Sequence, residues 1–253
     1  MTKMFSPLIN DGYKIGHVRQ YPEGTTMVYS NFTPRSMKRS PIPEAVAEMT
    51  RMGDKVVVAG IQILLKKYLK EGWDETFFNR DHDEVVSEYR EFVETFQGVI
   101  DFDVSHISEL HKLGYLPLHI KALPEGTISN TKIPMLTIRN TDPRFGWLVG
   151  FLEDLISNTL WKIITIATIS HTFRRLLENY YDETGLTDRG FINFQCHDFS
   201  LRGMSGPEDA MFNSIGHLFS FMSSDCLPAI YMARHLYNQP GFIAGGVPAT
   251  EHS

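Results

Sequence analysis

The stretch of sequence that decides the fold is residues 191–237, FINFQCHDFSLRGMSGPEDAMFNSIGHLFSFMSSDCLPAIYMARHLY. Two short runs rich in β-branched and aromatic residues, 191–194 and 219–222, alternate here with helical patterns near 207–218 and 227–237. Strands that alternate with helices are typical of βα units, which assemble into a parallel sheet or a barrel. The sequence therefore predicts that an α/β sheet or barrel begins in this part of the chain.

The chain before residue 188 has the pattern of a domain with both strands and helices. Apolar, β-branched and aromatic runs predict strands at residues 26–32, 56–58, 116–123 and 133–139. Helical spacing of apolar residues predicts helices at residues 61–69, 81–96, 104–113 and 168–183. Asp142 and Pro143 are suited to begin a further, buried helix. We expect an α+β N-terminal domain at residues 1–188 and the first βα units of a barrel at residues 189–253.

The composition is that of a globular protein. Of the 253 residues, 42% are hydrophobic and 21% are charged, so the chain can bury a full core without disulfides. The net charge of −6 disfavours a non-specific nucleic-acid binder. The two cysteines, Cys196 and Cys226, predict a reducing compartment. Since the sequence has no apolar run of about 18 residues and no signal-peptide pattern, we expect a cytoplasmic protein.

Three clusters of polar residues in the second half of the chain can carry chemistry. The first is His197, Asp198, Phe199 and Arg202, which follow a predicted strand and can bind a planar aromatic ring together with an anion. The same residues can instead form a structural turn in which the histidine and the aspartate pair with each other. Both interpretations stay open, although strand ends are where α/β folds place their sites.

The other two clusters lie further along the chain. Asp225 can accept hydrogen bonds from an amide, or it can simply cap the helix that follows it. In residues 245–253, the glycine pair Gly245 and Gly246 lets a backbone approach a ligand closely. His252 can act as a nucleophile or a general base, or the whole segment can be a disordered tail.

The spacing of the remaining candidates disfavours two other kinds of site. No metal site is predicted, because the spacing of the potential ligands matches neither a Cys-x-x-Cys nor a His-x-x-x-His pattern. These potential ligands are Cys196, His197, Asp198, Cys226 and His252. The sequence also lacks the GxxxxGK[ST] and GxGxxG phosphate-binding patterns and the GxSxG pattern of hydrolases.

Several motifs, in the same order along the chain, resemble those of the nicotinamide phosphoribosyltransferase family. They are DGYKIGHVRQYP at residues 11–22, VYSNFTPR at 28–35, NTDP at 140–143, HDFSLRG at 197–203 and VPATEHS at 247–253, together with Asp225. The resemblance implies a type II phosphoribosyltransferase fold. In that fold, the chain would supply the α+β domain and the first part of an incomplete α/β barrel.

The resemblance also implies a reaction of NAD salvage. Nicotinamide and phosphoribosyl pyrophosphate give nicotinamide mononucleotide and pyrophosphate, and Mg²⁺ and basic residues neutralise the departing charge. ATP is implied as a coupling co-substrate that makes synthesis more favourable. A homodimer with a shared active site is implied as well.

The motif positions imply which residues recognise the substrates. The nicotinamide ring would stack between Phe199 and Tyr13 of the partner subunit, which leaves the ring nitrogen free to react. Asp225 corresponds to the carboxylate that accepts the amide NH₂ group. Arg202 corresponds to the guanidinium near the amide oxygen and the phosphoribosyl group, and Arg35 to an arginine that contacts pyrophosphate.

The last motif supplies the other expected site residues. His252 corresponds to the histidine that ATP phosphorylates, and with Asp225 and Arg202 it makes up the expected catalytic set. Gly246 and Val247 are expected to line the substrate pocket.

Four positions and the length depart from the family pattern. Gly12 and Gly246 stand where the family usually has serine, and Ser200 and Leu201 stand where it usually has glycine and tyrosine. The chain stops one residue after His252, near the middle of the family chain. We therefore expect a truncated barrel with an exposed strand edge.

Two other functions stay open at this point. A nicotinate phosphoribosyltransferase uses an acidic substrate, which the carboxylate of Asp225 would repel. The second alternative is a non-catalytic fragment that acts as an assembly module with full-length subunits.

Overall fold

The structure is a computed structural model and describes residues 4–251. Its strands are β1 (Tyr29–Phe32), β2 (Lys55–Val57), β3 (Leu118–Ala122), β4 (Ile128–Asn130) and β5 (Leu136–Asn140). Its α-helices are α1 (Glu44–Met49), α2 (Ile61–Ile63), α3 (His82–Gln97), α4 (Ser105–Leu113), α5 (Trp147–Phe151), α6 (Glu153–Thr184), α7 (Pro207–Leu218) and α8 (Leu227–Leu236). Helix α2 continues in π-helical form over Leu64–Gly72 and Asp74–Phe78. Within residues 4–251, no helix is both long enough and apolar enough to cross a membrane.

The chain divides into two compact units that interleave along the sequence. The first unit contains the residues up to Phe32, Ile63–Ala122 and Leu136–Asn158; the second contains Thr33–Gln62, Leu123–Met135 and the residues from Thr159 onward. Residue 188 lies within the second unit, and the domain boundary at that position stays a prediction of the sequence.

Helix α3 illustrates why local sequence signals predict several helices correctly. The carboxylate of Asp81 accepts hydrogen bonds from the amides of Asp83 and Glu84, and Gly98, in the left-handed conformation, ends the helix. Its apolar stripe is buried at Val85, Tyr89 and Val93, four residues apart. The helix predicted over residues 81–96 is therefore confirmed, and α4 confirms the one predicted over residues 104–113.

Each unit contains a small antiparallel sheet. In the first unit, β5 lies between β1 and β3, with Tyr29 opposite Arg139 and Leu118 opposite Asn140. In the second unit, β2 pairs with β4. The sequence predicts β3 and β5 but misses β4, whose residues Ile128–Asn130 contain no run of apolar, β-branched or aromatic side chains.

The two strands predicted over residues 191–194 and 219–222 are wrong in position. Residues Arg189–Phe194 form a 3₁₀ helix instead, in which Asp188 caps the first turn and Ile192 is buried against Tyr181 and Phe221. The parallel pairing that was expected begins a few residues later, at Asp198 and at Ser223–Ser224, and it includes a segment at Gly245. The predicted alternation of parallel segments and helices is therefore present, but the paired residues lie after the positions predicted for the strands.

Helix α6 joins what the sequence predicts as two helical stretches. The pattern predicts one buried helix after Pro143 and another over residues 168–183, whereas α6 runs for 32 residues. Residues 153–184 contain neither glycine nor proline, so the chain has no residue that breaks the helix there. Asp142 does cap the turn at Pro143–Phe145, as expected, through a 3.0 Å hydrogen bond from the amide of Arg144.

A buried carboxylate ties the turn after β3 to other parts of the second unit. Glu125 accepts hydrogen bonds from the amide of Gly60 at 2.8 Å, the amide of Gln62 at 2.6 Å and the hydroxyl of Tyr237 at 2.9 Å. Burial raises the pKa of Glu125, although these three hydrogen bonds act in the opposite direction. Glu125 is therefore a structural anchor of this turn.

Helix α7 approaches the backbone of α6 closely at Gly216. A Cβ atom at Gly216 would lie 2.8 Å from the carbonyl oxygen of Ile163 and 2.9 Å from Cβ of Ile166. The absence of a side chain therefore sets the distance between the two helices in the second unit.

We expect Gly216→Ala to destabilise the protein. Overpacking costs about 1–3 kcal/mol, and the better helix propensity of alanine offsets about 1 kcal/mol of that. A net loss of up to about 2 kcal/mol in the free energy of unfolding should appear in denaturant titrations followed by circular dichroism. Gly203→Ala is the control, because a Cβ atom there would meet nothing within 4 Å. If the two variants are equally stable, the close packing at Gly216 is wrong.

Candidate functional site

Parallel backbone pairing brings the three candidate clusters side by side in the second unit. The amide of Asp198 donates to the carbonyl of Ser223 at 3.1 Å, and the amide of Asp225 donates to the carbonyl of Asp198 at 3.0 Å. The middle segment then pairs with the last one, since the amide of Ser224 donates to the carbonyl of Gly245 at 3.2 Å. The side chains that follow these positions therefore emerge next to one another, as expected at the ends of parallel strands.

His197 pairs with Asp225 and not with its neighbour Asp198. Its Nε2 atom lies 2.9 Å from Oδ2 of Asp225, and its Nδ1 atom is hydrogen-bonded to the hydroxyl of Ser223. The interpretation of the cluster as a turn with a local His–Asp pair is therefore wrong. The contact joins two clusters that lie 28 residues apart in the sequence.

Asp198 is buried and has a structural role next to the candidate site. Its side chain is 7% exposed and accepts hydrogen bonds from the hydroxyl of Ser224 at 2.7 Å and the amide of Ser200 at 3.0 Å. Burial alone would raise the pKa of Asp198, but the hydrogen bonds from Ser200, Ser214 and Ser224 outweigh it and hold the pKa below its usual value. The ionised carboxylate thus joins the first two segments.

Asp225 is available for binding because it does not serve as the cap of α8. Cys226 occupies the N-cap position, and its amide donates to the hydroxyl of Ser224 at 3.0 Å. The side chain of Asp225 is 36% exposed, whereas that of His197 is only 14% exposed. The carboxylate of Asp225 is thus partly accessible to solvent, and the mostly buried imidazole of His197 forms a hydrogen bond with it.

Phe199 and Arg202 lie on the turn that follows Asp198. The Phe199 ring is 62% exposed, and its centroid lies 4.4 Å from that of His197, with the planes tilted by 49°. Arg202 is exposed in the 3₁₀ turn Ser200–Gly203. An open aromatic ring and an exposed arginine therefore lie on one turn, directly after the residue that pairs with the segment before Asp225.

Gly246 is matched to the position of the Asp225 carboxylate. A Cβ atom at residue 246 would lie 2.2 Å from Oδ1 of Asp225, which is far inside van der Waals contact. A side chain at residue 246 would therefore require the Asp225 carboxylate to shift from its position in this structure. Val247 follows as an exposed residue.

Tyr13 belongs to the first unit and lies in the 3₁₀ segment Gly12–Arg19. Its ring is 60% exposed and has its centroid 5.2 Å from that of His17. A Cβ atom at Gly12, another departure from the family pattern, would lie 2.4 Å from Cζ of Phe96, so this exposed ring would have to shift.

Two predicted site residues remain to be placed. Arg35 is exposed on the segment after β1, in the second unit, and His252 lies outside the described residues. The roles assigned to these residues, and to Tyr13, Phe199, Arg202 and Asp225, stay predictions. The sequence analysis assigned no separate role to His197, although its position two residues before Phe199 placed it in the right motif.

The described residues offer no dedicated metal site. Across residues 4–251, no group of three or more His, Cys, Asp or Glu side chains is arranged to hold a metal ion. Mg²⁺ typically keeps several waters and binds through one or two carboxylates together with substrate phosphates. The described residues thus do not form a metal site made of protein ligands alone. The binding of Mg²⁺ together with a pyrophosphate substrate stays a prediction.

Comparisons with known proteins test the resemblance inferred from the motifs. Residues 7–120 match a family model described as the N-terminal domain of nicotinamide phosphoribosyltransferase. A nicotinamide phosphoribosyltransferase from Acinetobacter baylyi is 46% identical over 244 residues, which cover 96% of this chain and 47% of that protein. This chain is related to the nicotinamide phosphoribosyltransferases. The resemblance stated from the motifs is confirmed.

More distant relatives cover the chain in the same way. A nicotinamide phosphoribosyltransferase from Xanthomonas campestris is 29% identical over 97% of this chain and 47% of its own length. One from Mycoplasma pneumoniae is 28% identical over 96% of this chain and 51% of its own length. The chain thus spans about half the length of the curated relatives it matches.

A solved structure supports the fold class. The crystal structure of human nicotinic acid phosphoribosyltransferase matches with a TM-score of 0.62 and 19% identity, over 96% of this chain and 39% of that one. At this identity the similarity concerns the fold alone. The α/β fold class of the phosphoribosyltransferases, expected from the sequence, is confirmed.

We expect Asp198→Asn to lower stability in a pH-dependent way. The folded-state pKa of Asp198 is depressed, so its stabilising effect is present above the unfolded-state pKa, near 3.9, and is lost as the pH falls through the folded-state value. At pH 7 the variant should lose on the order of 1–3 kcal/mol in the free energy of unfolding, and the difference from the original protein should shrink as the pH falls below about 4.

Denaturant titrations at a series of pH values measure this difference. Asp54→Asn is the control, because it removes a charge from an exposed carboxylate in the same unit. A constant difference between Asp198→Asn and the original protein across the pH series would contradict the proposed role of the ionised carboxylate.

Proposed function

We propose that this chain carries the nicotinamide-recognition site of a nicotinamide phosphoribosyltransferase. The observation that carries the proposal is the partly exposed Asp225 carboxylate, which lies 2.9 Å from Nε2 of His197 and is accompanied by the exposed ring of Phe199. An amide NH₂ group is a donor for the carboxylate, and a pyridine ring is a partner for the aromatic face. The relatives named nicotinamide phosphoribosyltransferase, at 46% and 29% identity, support the same substrate.

The chemistry requires orientation and charge neutralisation more than proton transfer. The ring nitrogen of nicotinamide attacks the anomeric carbon of phosphoribosyl pyrophosphate, and the bond to the pyrophosphate oxygen breaks. The attacking nitrogen has no proton to lose, so a general base has no task in this step. We assign Phe199 and Asp225 to orienting the ring, and Arg202 and Arg35 to neutralising the phosphate charge.

The same proposal includes the expected partners and cofactors. Mg²⁺ bound with the pyrophosphate substrate would add to the neutralisation of the leaving group. Tyr13 would reach the site of a second subunit in a homodimer, and its 60% exposed ring is suited to a contact of that kind. ATP would phosphorylate His252. The free state of Cys196 and Cys226 supports a reducing, cytoplasmic location.

The nicotinate alternative has less support. The human nicotinic acid phosphoribosyltransferase resembles this chain in fold, at 19% identity. Asp225, however, places a negative charge where the carboxylate of nicotinate would have to bind, and like charges at that distance repel. The assembly-module alternative predicts that no nicotinamide binds, and the same experiment distinguishes it.

We expect Asp225→Asn to weaken nicotinamide binding and to reduce the discrimination against nicotinate. A charge-assisted hydrogen bond contributes about 1.5–3 kcal/mol, so the affinity for nicotinamide should fall by about 10- to 150-fold. Calorimetric titration of the protein with nicotinamide and with nicotinate measures both effects. Asp209→Asn is the control, because that carboxylate is paired with Lys162.

The outcomes separate the three functions. If the ratio of nicotinamide affinity to nicotinate affinity is unchanged in Asp225→Asn, Asp225 does not contact the substrate amide. Tighter binding of nicotinate than of nicotinamide by the original protein would favour the nicotinate alternative. Binding of neither compound would favour the assembly module.

In a complete enzyme that carries this segment, we expect His252→Ala to abolish stimulation by ATP and to leave slow, ATP-independent formation of nicotinamide mononucleotide. The reason is that a phosphate acceptor couples ATP hydrolysis to the reaction, whereas the transfer itself needs no base. Product formation with and without ATP, together with acid-labile phosphate on the protein, measures this. His235→Ala removes an exposed histidine on α8 and is the control. A full response to ATP in His252→Ala would show that another group accepts the phosphate.

A further inference from the structure

The residue after Tyr13 in the motif at residues 11–22 is a buried lysine. The side chain of Lys14 is only 3% exposed, and its Nζ atom is paired with the carboxylate of Glu153. Glu153 lies in the first turn of α6. Lysine side chains are almost never buried unless they are paired, so this contact holds the segment that carries Tyr13 against the start of α6.

The same ammonium group lies close to the ring of Tyr13. The Nζ atom of Lys14 is 5.3 Å from the centroid of that ring, which is within the range of a cation–π contact. Burial would lower the pKa of Lys14, but the hydrogen bond to Glu153 and the charge of that carboxylate outweigh burial and raise the pKa above its usual value. Lys14 is therefore charged at neutral pH, and its ammonium joins α6 to an exposed aromatic ring.

Two further contacts restrict Tyr13. The ring of His17, four residues along the same 3₁₀ segment, has its centroid 5.2 Å from that of Tyr13, with the planes tilted by 58°. The amide of Asp11 donates a hydrogen bond to Oδ2 of Asp154 at 2.9 Å, which ties the backbone just before Tyr13 to α6. These residues all belong to the first unit. The exposed ring of Tyr13 is therefore oriented by neighbours in its own chain.

We propose that Lys14 and His17 are positioning residues, which hold the Tyr13 ring in the orientation that stacks on nicotinamide in the site of the second subunit. This inference rests on the proposed function, in which Tyr13 reaches that site. Both residues act through Tyr13, because the stacking contact itself is made by the tyrosine. A ring that is already oriented loses less conformational freedom on binding, so the affinity for nicotinamide is higher.

A double-mutant cycle on the nicotinamide affinity, measured by calorimetric titration, tests the inference. We expect Lys14→Met and His17→Leu each to weaken binding by about three- to tenfold, and Tyr13→Ala to weaken it at least as much. In a chain that already carries Tyr13→Ala, either further change should alter the affinity by less than about twofold, because the ring that is positioned is gone. His17→Phe keeps an aromatic ring and should retain most of the affinity.

Mixed dimers, isolated with two different affinity tags, show whether the two residues act across the subunit boundary. A dimer of one Tyr13→Ala chain and one Asp225→Asn chain has one site with both groups intact, so about half of its sites should bind nicotinamide with the original affinity. Lys14→Met or His17→Leu chains paired with Asp225→Asn chains should give the same result. Either of them paired with Tyr13→Ala chains should restore no site.

Lys70→Met and His119→Leu are the matched controls. Lys70→Met removes another pair of a lysine and a carboxylate, with Asp74, from the first unit, and His119→Leu removes a histidine of β3 in the same unit. Both variants should bind nicotinamide like the original protein. Thermal unfolding checks the fold of every variant, and if Lys14→Met does not fold, His17→Leu and His17→Phe decide the question.

The results distinguish this inference from the proposed function. If the original protein does not bind nicotinamide, or if Asp225→Asn and Tyr13→Ala both leave the affinity unchanged, the proposed function is wrong. If Asp225→Asn alone loses affinity, Tyr13 does not reach the site, and the inference is overturned.

Two other results overturn the inference while the function stands. The first is that Tyr13→Ala and Asp225→Asn lose affinity, whereas Lys14→Met and His17→Leu keep it. The second is that the losses in Lys14→Met and His17→Leu add to the loss in Tyr13→Ala, or are not complemented by Asp225→Asn chains. That result would mean a merely structural role for Lys14 and His17.

Discussion

Parallel pairing of three short backbone segments is the constraint on which the candidate site depends. The segments meet at Asp198, Ser223–Ser224 and Gly245, and hydrogen bonds of 3.0–3.2 Å between amides and carbonyls set their register. Because the register is set, the side chains that follow each segment emerge at the same edge. A shift by one residue would reverse the direction of the next side chains and would separate His197 from Asp225.

A buried charge and two glycines make this arrangement specific. The ionised Asp198 receives hydrogen bonds from Ser200 and Ser224, so it holds the turn after the first segment to the second segment. Gly216 lets α7 approach the backbone of α6, and Gly246 leaves room for the carboxylate of Asp225. The carboxylate of Asp198 is placed by the hydrogen bonds it accepts. Helix α7 and the carboxylate of Asp225 are placed by glycines that leave space for close packing.

Sequence patterns predicted the elements whose causes are local. Asp81 and Gly98 cap α3, Asp142 caps the turn at Pro143–Phe145, and α7 begins at Pro207, as the residues themselves require. The strand predicted over residues 191–194 was wrong, since its aromatic and β-branched residues pack as a 3₁₀ helix around the buried Ile192. Short apolar runs are ambiguous because burial, not propensity, selects their conformation.

The sequence by itself determined the family, the α/β class and the motifs that hold Tyr13, Phe199, Arg202 and Asp225, because motif identity and helix caps are encoded over a few consecutive residues. Only the tertiary structure decided that His197 pairs with Asp225 and not with Asp198, that Asp225 is not the cap of α8, and that Gly246 borders the carboxylate. The contacts of Asp225 with His197 and with Gly246 join residues about 20–30 positions apart, and they depend on the register of parallel segments, which no local pattern specifies.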